Sequence, residues 1–249
     1  MQSNYDAIYL SPHLDDAALS CGAQIFDRTH AGQRVLIVTI MAGSPRLDIR
    51  SAYIERLHER WELAGDAAAA RREEDIEASR ILGAGFLHME VPDCIDRLDP
   101  ATGEPLYISD ADIFGDLHPA ETELAMQLAA QFRSLPSATS RYAPLTVGHH
   151  VDHLLVRAAA EQVWSGELAY YEDYPYVQQP EKLARVIGED ASWRATAIPV
   201  SDAALATKFD AIWAFRSQLS TFFGSREDME EQVGRYMRSV GGEQNWERF

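Results

Sequence analysis

The sequence predicts an α/β fold: a Rossmann-like, mostly parallel sheet flanked by helices, folded as a single domain over residues 1–249. The first observation behind this prediction is the alternation of short strand-like segments with longer segments at helical spacing. The second is the segment 33–41, whose run of β-branched residues is typical of a strand buried on both faces. The third is size, because 249 residues with 46% hydrophobic content suffice for one full core.

The predicted strands and helices alternate along most of the chain. Short apolar segments bounded by turn residues predict strands at 5–10, 33–41, 86–91 and 142–147, and a further strand from 168 into a Tyr-rich turn. Helical spacing of apolar residues predicts helices at 17–26, 52–83 (with a break near 65), 121–134, 152–164, 202–223 and 227–240. We expect the core within about residues 5–174. Residues 175–249 are expected to form a mainly helical C-terminal part with one extended piece at 193–200.

Composition and charge narrow the classes of function. The formal net charge of −17 argues against nucleic-acid binding, because a polyanion requires a basic face. No apolar run reaches the length of a membrane span, and the first residues lack the pattern of a signal peptide. The two cysteines, Cys21 and Cys94, do not make a disulfide framework. These features predict a cytoplasmic protein that binds neither nucleic acid nor membrane.

A histidine and two carboxylates follow the first predicted strand and open the first predicted helix. Open α/β sheets place their ligand sites at the carboxyl ends of strands. His13 and Asp16 are spaced so that both side chains can converge on one point, while Asp15 projects to another side. Adjacent carboxylates repel each other at neutral pH unless a cation holds them. Asp at a helix N-terminus also serves as a cap, so this motif alone leaves both interpretations open.

A second cluster, residues 148–153 (GHHVDH), follows another predicted strand and opens another predicted helix. His150 and His153 are three residues apart, so both can face one way at the helix entrance. Imidazole is a common metal ligand, and a His-Asp-His set leaves room for water in a catalytic zinc site. Both clusters lie at strand-to-helix junctions, which share one edge of a parallel sheet. The sequence therefore predicts that the two clusters meet and bind a metal ion.

One further residue and three further segments are expected near the site or at an interface. Asp93 ends the third predicted strand at the same edge, where it is either a substrate-binding residue or a plain turn residue. Residues 93–119 show little periodicity, and a loop of this length is usually functional, so we expect a mobile lid that governs substrate choice. The polar loop from 42 to about 50 is expected to border the site. The broad apolar face of the helix from residue 202 fits either the core or a homo-oligomer interface.

These motifs resemble those of the LmbE-like or PIG-L superfamily of zinc-dependent N-deacetylases. The family's first motif, Pro/Ala-His-Pro-Asp-Asp-Glu, is matched by residues 12–17 (PHLDDA), and its later motif, His-Pro-Asp-His, by residues 150–153 (HVDH). Residues 71–83 resemble the family's helix that carries Arg-x-x-Glu. The resemblance covers about residues 5–174.

The chain departs from the family motifs at three positions. Leu14 and Val151 replace prolines, which changes backbone stiffness rather than chemistry. Ala17 replaces a glutamate, which we expect to remove a carboxylate from the rim of the site without removing a metal ligand.

The resemblance implies a Rossmann-like domain that binds one zinc ion per chain, with another divalent metal as an alternative. It implies three protein ligands, His13, Asp16 and His153, with the remaining position left for water. Asp15 is then the general base that later protonates the leaving amine, and His150 stabilises the oxyanion.

The resemblance also implies residues that act around these groups. Asp152 is expected to orient one of the histidine ligands, and Arg71 to contact the substrate from the Arg-x-x-Glu position. The implied substrate is a small N-acetylated sugar conjugate, from which the enzyme removes the N-acetyl group. Nothing in the sequence selects among such conjugates.

Other classes of protein remain to be weighed. A phospho-acceptor receiver domain pairs two Asp after its first strand, but it is about half this length and has no place for the second His cluster. A non-haem iron enzyme uses two His and one carboxylate, but its usual host is a β-barrel. A non-catalytic metal- or sugar-binding relative is the alternative that is not an enzyme, since Ala17 hints at divergence.

Overall fold

The computed structural model describes residues 4–44, 53 and 67–249. It contains a seven-stranded sheet whose strands we number in chain order. They are β1 (Tyr5–Ser11), β2 (Val35–Thr39), β3 (Gly85–His88), β4 (Ala138–Pro144), β5 (Leu168–Tyr171), β6 (Trp193–Ile198) and β7 (Glu243–Arg248).

The strand order across the sheet is β3-β2-β1-β4-β5-β7-β6. Strands β1 to β5 pair in parallel, whereas β7 pairs antiparallel with both β5 and β6. The chain runs outward from β1 to β3 on one side and resumes at β4 on the other. The junction between β1 and β4 is therefore the topological switch point, where open α/β sheets bind their ligands. The predicted α/β class and the mostly parallel sheet are confirmed.

Helices connect and flank these strands. Within the described residues they are α1 (Asp16–His30), α2 (Ala67–Ile81), α3 (Asp110–Ile113), α4 (Thr122–Phe132), α5 (Val151–Trp164), α6 (Pro180–Ile187), α7 (Asp202–Trp213), α8 (Arg216–Phe222) and α9 (Arg226–Val240). The predicted loop at 45–50 and most of the first half of the predicted helix 52–83 lie outside the described residues.

Strand β2 and most of β1 are buried on both faces, in keeping with their largely apolar sequences. In β1 the side chains alternate: Ile8 and Leu10 belong to one apolar cluster, and Ala7 and Tyr9 belong to another. The first cluster includes residues of α4 and α5, which pack against each other. The second includes residues of α1 and α7, which also pack together.

The extended piece expected at 193–200 corresponds to β6, but the C-terminal part also supplies β7, which the sequence does not predict, and both strands belong to the main sheet. The sequence of β7, EQNWER, is polar and lacks the pattern of a buried strand. The polar groups of its buried residues Glu243 and Asn245 are nevertheless satisfied inside the protein. The carboxylate of Glu243 accepts hydrogen bonds from the backbone N–H groups of Ala23 and Gln24. It also forms an ion pair with Lys208.

The predicted helix 202–223 is divided into α7 and α8 by a break at Ala214 and Phe215. The short helix α6 lies in a stretch for which no helix was predicted. Ile212 and Phe215, from the apolar face discussed above, are buried within the chain. That face therefore belongs at least partly to the core. No helix in the described part of the chain combines the length and the apolar character needed to cross a membrane.

Candidate active site

The two predicted clusters lie side by side at the carboxyl ends of β1 and β4. His13 and Asp15 lie in the turn between β1 and α1, and Asp16 is the first residue of α1. His150 is the N-cap of α5, and His153 lies in the first turn of that helix. The rings of His13 and His153 have centroids 5.3 Å apart. The structure thus brings together the residues that the spacing of both motifs predicts to converge.

Two histidine nitrogens lie close to one oxygen of Asp16. His13 Nδ1 and His153 Nε2 each lie 3.3 Å from the same carboxylate oxygen, Asp16 Oδ2. In a tetrahedral zinc site with bonds of 2.0–2.1 Å, ligand atoms are about 3.3–3.4 Å apart. Two imidazole nitrogens and one carboxylate oxygen are also a donor set that zinc prefers. The residues present therefore fit a divalent metal ion.

The remaining nitrogen of each histidine is held by a buried carboxylate. His13 Nε2 lies 2.9 Å from Asp152 Oδ2, and His153 Nδ1 lies 2.5 Å from Asp173 Oδ1. If these nitrogens carry the protons, the lone pairs of His13 Nδ1 and His153 Nε2 face Asp16. Metal-binding histidines are commonly oriented by carboxylates in this way.

The electrostatics of the site favour a positive charge at this point. Burial acts against it, but Asp16 and Asp173 raise the pKa of His153 to about 10. Burial likewise opposes ionisation of Asp16, yet His153 and His13 hold the pKa of Asp16 well below its usual range. The carboxylates thus stabilise positive charge where the three ligand atoms meet.

Asp15 lies beside this point without an ion pair to either histidine among the described contacts. Burial, and then the adjacent Asp16 carboxylate, raise the pKa of Asp15 to about 7, while Arg71 and His13 act in the opposite direction. Asp15 is 6% exposed and lines the cavity next to the predicted ligands. It is therefore placed to exchange a proton with a molecule in the cavity.

His150 differs from the other two histidines in its hydrogen bonding. Its Nδ1 accepts a hydrogen bond of 3.2 Å from the backbone N–H of Asp152, so the proton of the neutral ring resides on Nε2. Burial and the nearby His13 lower the pKa of His150 to about 3. His150 lines the cavity and can donate one hydrogen bond into it.

The cavity has a volume of about 600 Å³, which lies within the range typical of sites for small molecules. Arg71 and Asp93, the two predicted substrate contacts, both lie in its wall. Asp93 also caps a short 3-10 helix by accepting a hydrogen bond from Ile95, and its other oxygen lies 3.8 Å from His13 Nε2. Each candidate residue on the sheet edge is thus at or beside one cavity.

The turn that carries the second motif has an unusual backbone. Thr146 and His149 both adopt positive φ angles of 67° and 57°. Such conformations in residues other than glycine cluster at functional sites, where the surroundings hold them in place. A Cβ atom on Gly148 would lie 2.6 Å from ring atoms of Tyr176, so this position requires glycine. His149 points away from the site and lies 3.3 Å from Asp116.

Ala17 corrects one expectation. The side chain at this position is 2% exposed and packs in the same apolar cluster as Tyr9. Its backbone N–H donates a hydrogen bond to Ser11 Oγ. The sequence led us to expect position 17 at the rim of the cavity. The structure places it in the core beneath the turn instead.

The segment expected to form a lid is tied into the protein by several contacts. It contributes Ile95, Ile113 and Phe114 to the cavity wall, together with Asp93 and Asp110. The hydroxyl of Tyr53 donates a hydrogen bond of 2.7 Å to Asp110. The segment is thus placed to contact a substrate while being anchored to its surroundings.

Three polar residues that support the site lie outside the two motifs. Asp173 holds His153, and the buried ion pairs of Arg97 connect Asp152 to Glu121. Asp173 lies outside both motifs, but it belongs to the segment after β5 that resembles the cleft lining of the family, so its place in the sequence already indicated a position near the site. Arg97 lies in the segment 93–119, which lacks periodicity, and Glu121 lies at the start of the predicted helix 121–134; neither position carries such a signal.

Comparison with known proteins gives a consistent picture. The family model PIG-L, described as GlcNAc-PI de-N-acetylase, matches residues 8–164. A 2′-N-acetylparomamine deacetylase from Niallia circulans is 25% identical over 242 residues, covering 91% of this chain and 84% of that protein.

Solved structures show the same relationship. A teicoplanin deacetylase in a zinc-inhibited form is 26% identical, with a TM-score of 0.80 and coverage of 98% of this chain and 97% of the other. A deacetylase of the A40926 pseudoaglycone is also 26% identical, with a TM-score of 0.74 and coverage of 99% and 98%. The family model spans more than half of the chain, and its range contains both motifs. This chain therefore belongs to the PIG-L family and is a metal-dependent N-deacetylase.

Proposed function

We propose that the chain binds one zinc ion through His13, Asp16 and His153 and removes the N-acetyl group from an amino-sugar conjugate. One observation carries this proposal. Two histidine nitrogens lie 3.3 Å from the same Asp16 oxygen, beside a cavity lined by a further carboxylate and a further histidine. The activities named for the relatives, on an acetylated aminoglycoside precursor and on teicoplanin, support a sugar conjugate as the substrate class.

Zinc held by these ligands would supply Lewis-acid chemistry, which makes a water molecule more acidic and polarises a carbonyl group. Asp152 and Asp173 hold the two histidine rings so that the correct nitrogens face the ligand point. This orientation reduces the rearrangement that metal binding requires.

Asp15 acts as the general base in this proposal. Its carboxylate lines the cavity, and it forms no ion pair with the histidine ligands among the described contacts. It takes a proton from the attacking water as the new C–O bond forms. It then gives that proton to the amine nitrogen as the C–N bond breaks, so acetate and a free amino sugar are released.

His150 stabilises the charge that develops on the carbonyl oxygen. Because its Nδ1 accepts the backbone N–H of Asp152, its Nε2 proton is available to the cavity. A donor held in place before the reaction stabilises an oxyanion without reorganisation of the site.

Arg71 and Asp93 are proposed to bind the sugar. Both line the cavity, and the planar guanidinium group of Arg71 can bind two hydroxyl oxygens at once. The volume of about 600 Å³ is much larger than an acetyl group needs. We therefore expect the substrate to extend beyond the reacting amide.

The test combines metal analysis with product analysis. Protein stripped of metal is titrated with zinc from below one equivalent, because one related deacetylase is described in a zinc-inhibited form. Amine release is measured with N-acetylglucosamine, N,N′-diacetylchitobiose and 2′-N-acetylparomamine, and cobalt and manganese are compared with zinc. We expect activity to rise up to one equivalent of zinc. Absence of amine release with every substrate and metal would contradict the proposal.

Cytoplasmic location and homo-oligomerisation stay predictions from the sequence. Fractionation of the cells and the mass of the purified protein in solution would test them directly.

A further inference from the structure

The carboxylate of Asp152 is fully buried and uses both of its oxygens. Oδ2 lies 2.9 Å from His13 Nε2 and accepts a hydrogen bond of 3.1 Å from the backbone N–H of Cys94. Oδ1 lies 2.5 Å from Nη1 of Arg97, whose side chain is 6% exposed. Arg97 therefore contacts the side of the Asp152 carboxylate that faces away from the predicted metal ligand His13.

Arg97 is itself fixed from two further directions. Its Nε forms an ion pair with the buried carboxylate of Glu121, and its Nη1 also donates a hydrogen bond of 3.2 Å to the carbonyl of Pro92. Glu121 in turn accepts a hydrogen bond from the hydroxyl of Tyr107, and both side chains are almost fully buried. A planar guanidinium group held at two of its three nitrogens, Nε and Nη1, has little freedom to rotate.

These side-chain contacts form a continuous network that runs from Tyr107 through Glu121, Arg97 and Asp152 to His13. Its outer members lie in the segment 94–121, which also supplies several side chains to the cavity wall. Its inner end is the nitrogen of His13 opposite the one that faces Asp16. This network thus connects the wall of the cavity to the predicted metal ligand His13.

Charge explains why an arginine is needed here. A carboxylate buried without a compensating cation is strongly unfavourable, and one that loses its partner tends to reorient or recruit another. Asp152 can hold His13 in one orientation only while its own carboxylate is held in place. Arg97 supplies both the compensating charge and the fixed geometry.

We infer that Arg97 is a positioning residue for His13, acting through Asp152, and that it couples the segment 94–121 to the metal site. The inference rests on the proposed metal site but not on the identity of the substrate. A purely structural role would instead make Arg97 an anchor for the segment, with no effect on metal binding beyond a loss of stability.

The experiment measures zinc affinity of metal-free protein by competition with a chromophoric chelator, alongside thermal unfolding with and without zinc. The variants are Arg97→Met, Arg97→Lys, Glu121→Gln and Tyr107→Phe. Arg157→Met and Arg157→Lys are matched controls, because Arg157 also forms an ion pair, with Glu161, and donates to the Leu145 carbonyl.

Outer partners of metal ligands typically contribute a factor of 10 to 100 in affinity. We expect Arg97→Met to weaken zinc binding about tenfold, since Arg97 acts one step further out. Arg97→Lys should lie between this variant and the wild type, and Glu121→Gln and Tyr107→Phe should have progressively smaller effects. The Arg157 variants should alter thermal stability without altering zinc affinity.

Unchanged zinc affinity in the Arg97 variants would overturn the inference, whatever happens to their stability. An equal loss in the Arg157 variants would overturn it as well, because the effect would then follow general destabilisation. If Arg97→Met does not fold, Arg97→Lys and Glu121→Gln carry the test. The readout is metal binding, so failure to find a deacetylase substrate would count against the proposed function and leave this result independent.

Discussion

His153 and Asp173 form a hydrogen bond of 2.5 Å between imidazole Nδ1 and carboxylate Oδ1. The other oxygen of Asp173 accepts a hydrogen bond of 2.9 Å from the backbone N–H of Val147. Asp173 follows β5, and Val147 lies in the turn after β4. The orientation of His153 is therefore set by the pairing of two neighbouring strands, not by its own helix alone.

The first prediction follows from this contact. Asp173→Asn should weaken zinc binding by about 10- to 100-fold, because an amide no longer holds the His153 ring with a charged acceptor. Asp190→Asn is the control, since the Asp190 side chain is exposed and bonds only to Ser192 and Arg248 among the described contacts. Calorimetric titration of both metal-free proteins with zinc checks this; equal affinities in the two variants would contradict it.

The second prediction separates the two adjacent carboxylates. Asp16→Asn should lower zinc affinity, because one of the three ligand atoms loses its charge. Asp15→Asn should retain most of the metal but lower turnover by about 10²- to 10⁴-fold, because the proton acceptor is lost. Zinc content and acetate release are measured on the same samples. If Asp15→Asn loses the metal while Asp16→Asn keeps it, the two roles are reversed.

The third prediction concerns the turn before His150. Gly148→Ala should force the Tyr176 ring to move, and overpacking of this kind typically costs about 1–3 kcal/mol. At this chain length each kcal/mol lowers Tm by about 2–4 °C. Gly224→Ala is the control, since a Cβ there meets only Asp228 at 3.7 Å. Thermal unfolding of both variants decides the matter, and equal melting temperatures would argue against the tight packing.

The fourth prediction concerns pH and stability. Burial, followed by the nearby Asp93 carboxylate, raises the pKa of Asp96 to about 7. The folded protein thus binds this proton more tightly than the unfolded chain does, so this residue makes stability fall as the pH rises from about 4 to about 7. Asp96→Asn should be more stable than the wild type above pH 7, and this advantage should disappear near pH 4. A melting-temperature difference that does not change with pH would refute the assignment.

Much of the site can be predicted because its primary residues lie in short motifs at strand ends. The spacing of His13 and Asp16, and of His150 and His153, carries the information within one helical turn. The edge shared by parallel strands then brings the two motifs together. The spacing of residues within each motif and the shared edge of parallel strands are therefore enough to predict that these four side chains lie together.

The supporting contacts cannot be predicted in the same way. The resemblance implies that Asp152 orients a histidine, but that this histidine is His13 depends on how the two motifs pack. Arg97 reaches Asp152 from a segment without periodicity. Such pairs depend on the packing of side chains that are distant in sequence. The strand β7 was missed for a related reason, because its buried Glu243 and Asn245 are satisfied by contacts with Gln24 and its neighbours in α1.

The most direct test of the central claim is the zinc content of the wild type, His13→Ala and His153→Ala, measured by elemental analysis after dialysis against a weak chelator. We expect one zinc ion per wild-type chain and loss of zinc from each variant, because the two motifs form one site. His149→Ala is the matched control, since this neighbouring histidine is half-exposed, lies 3.3 Å from Asp116, and should leave zinc content unchanged. One zinc ion retained by both His13→Ala and His153→Ala would contradict the account.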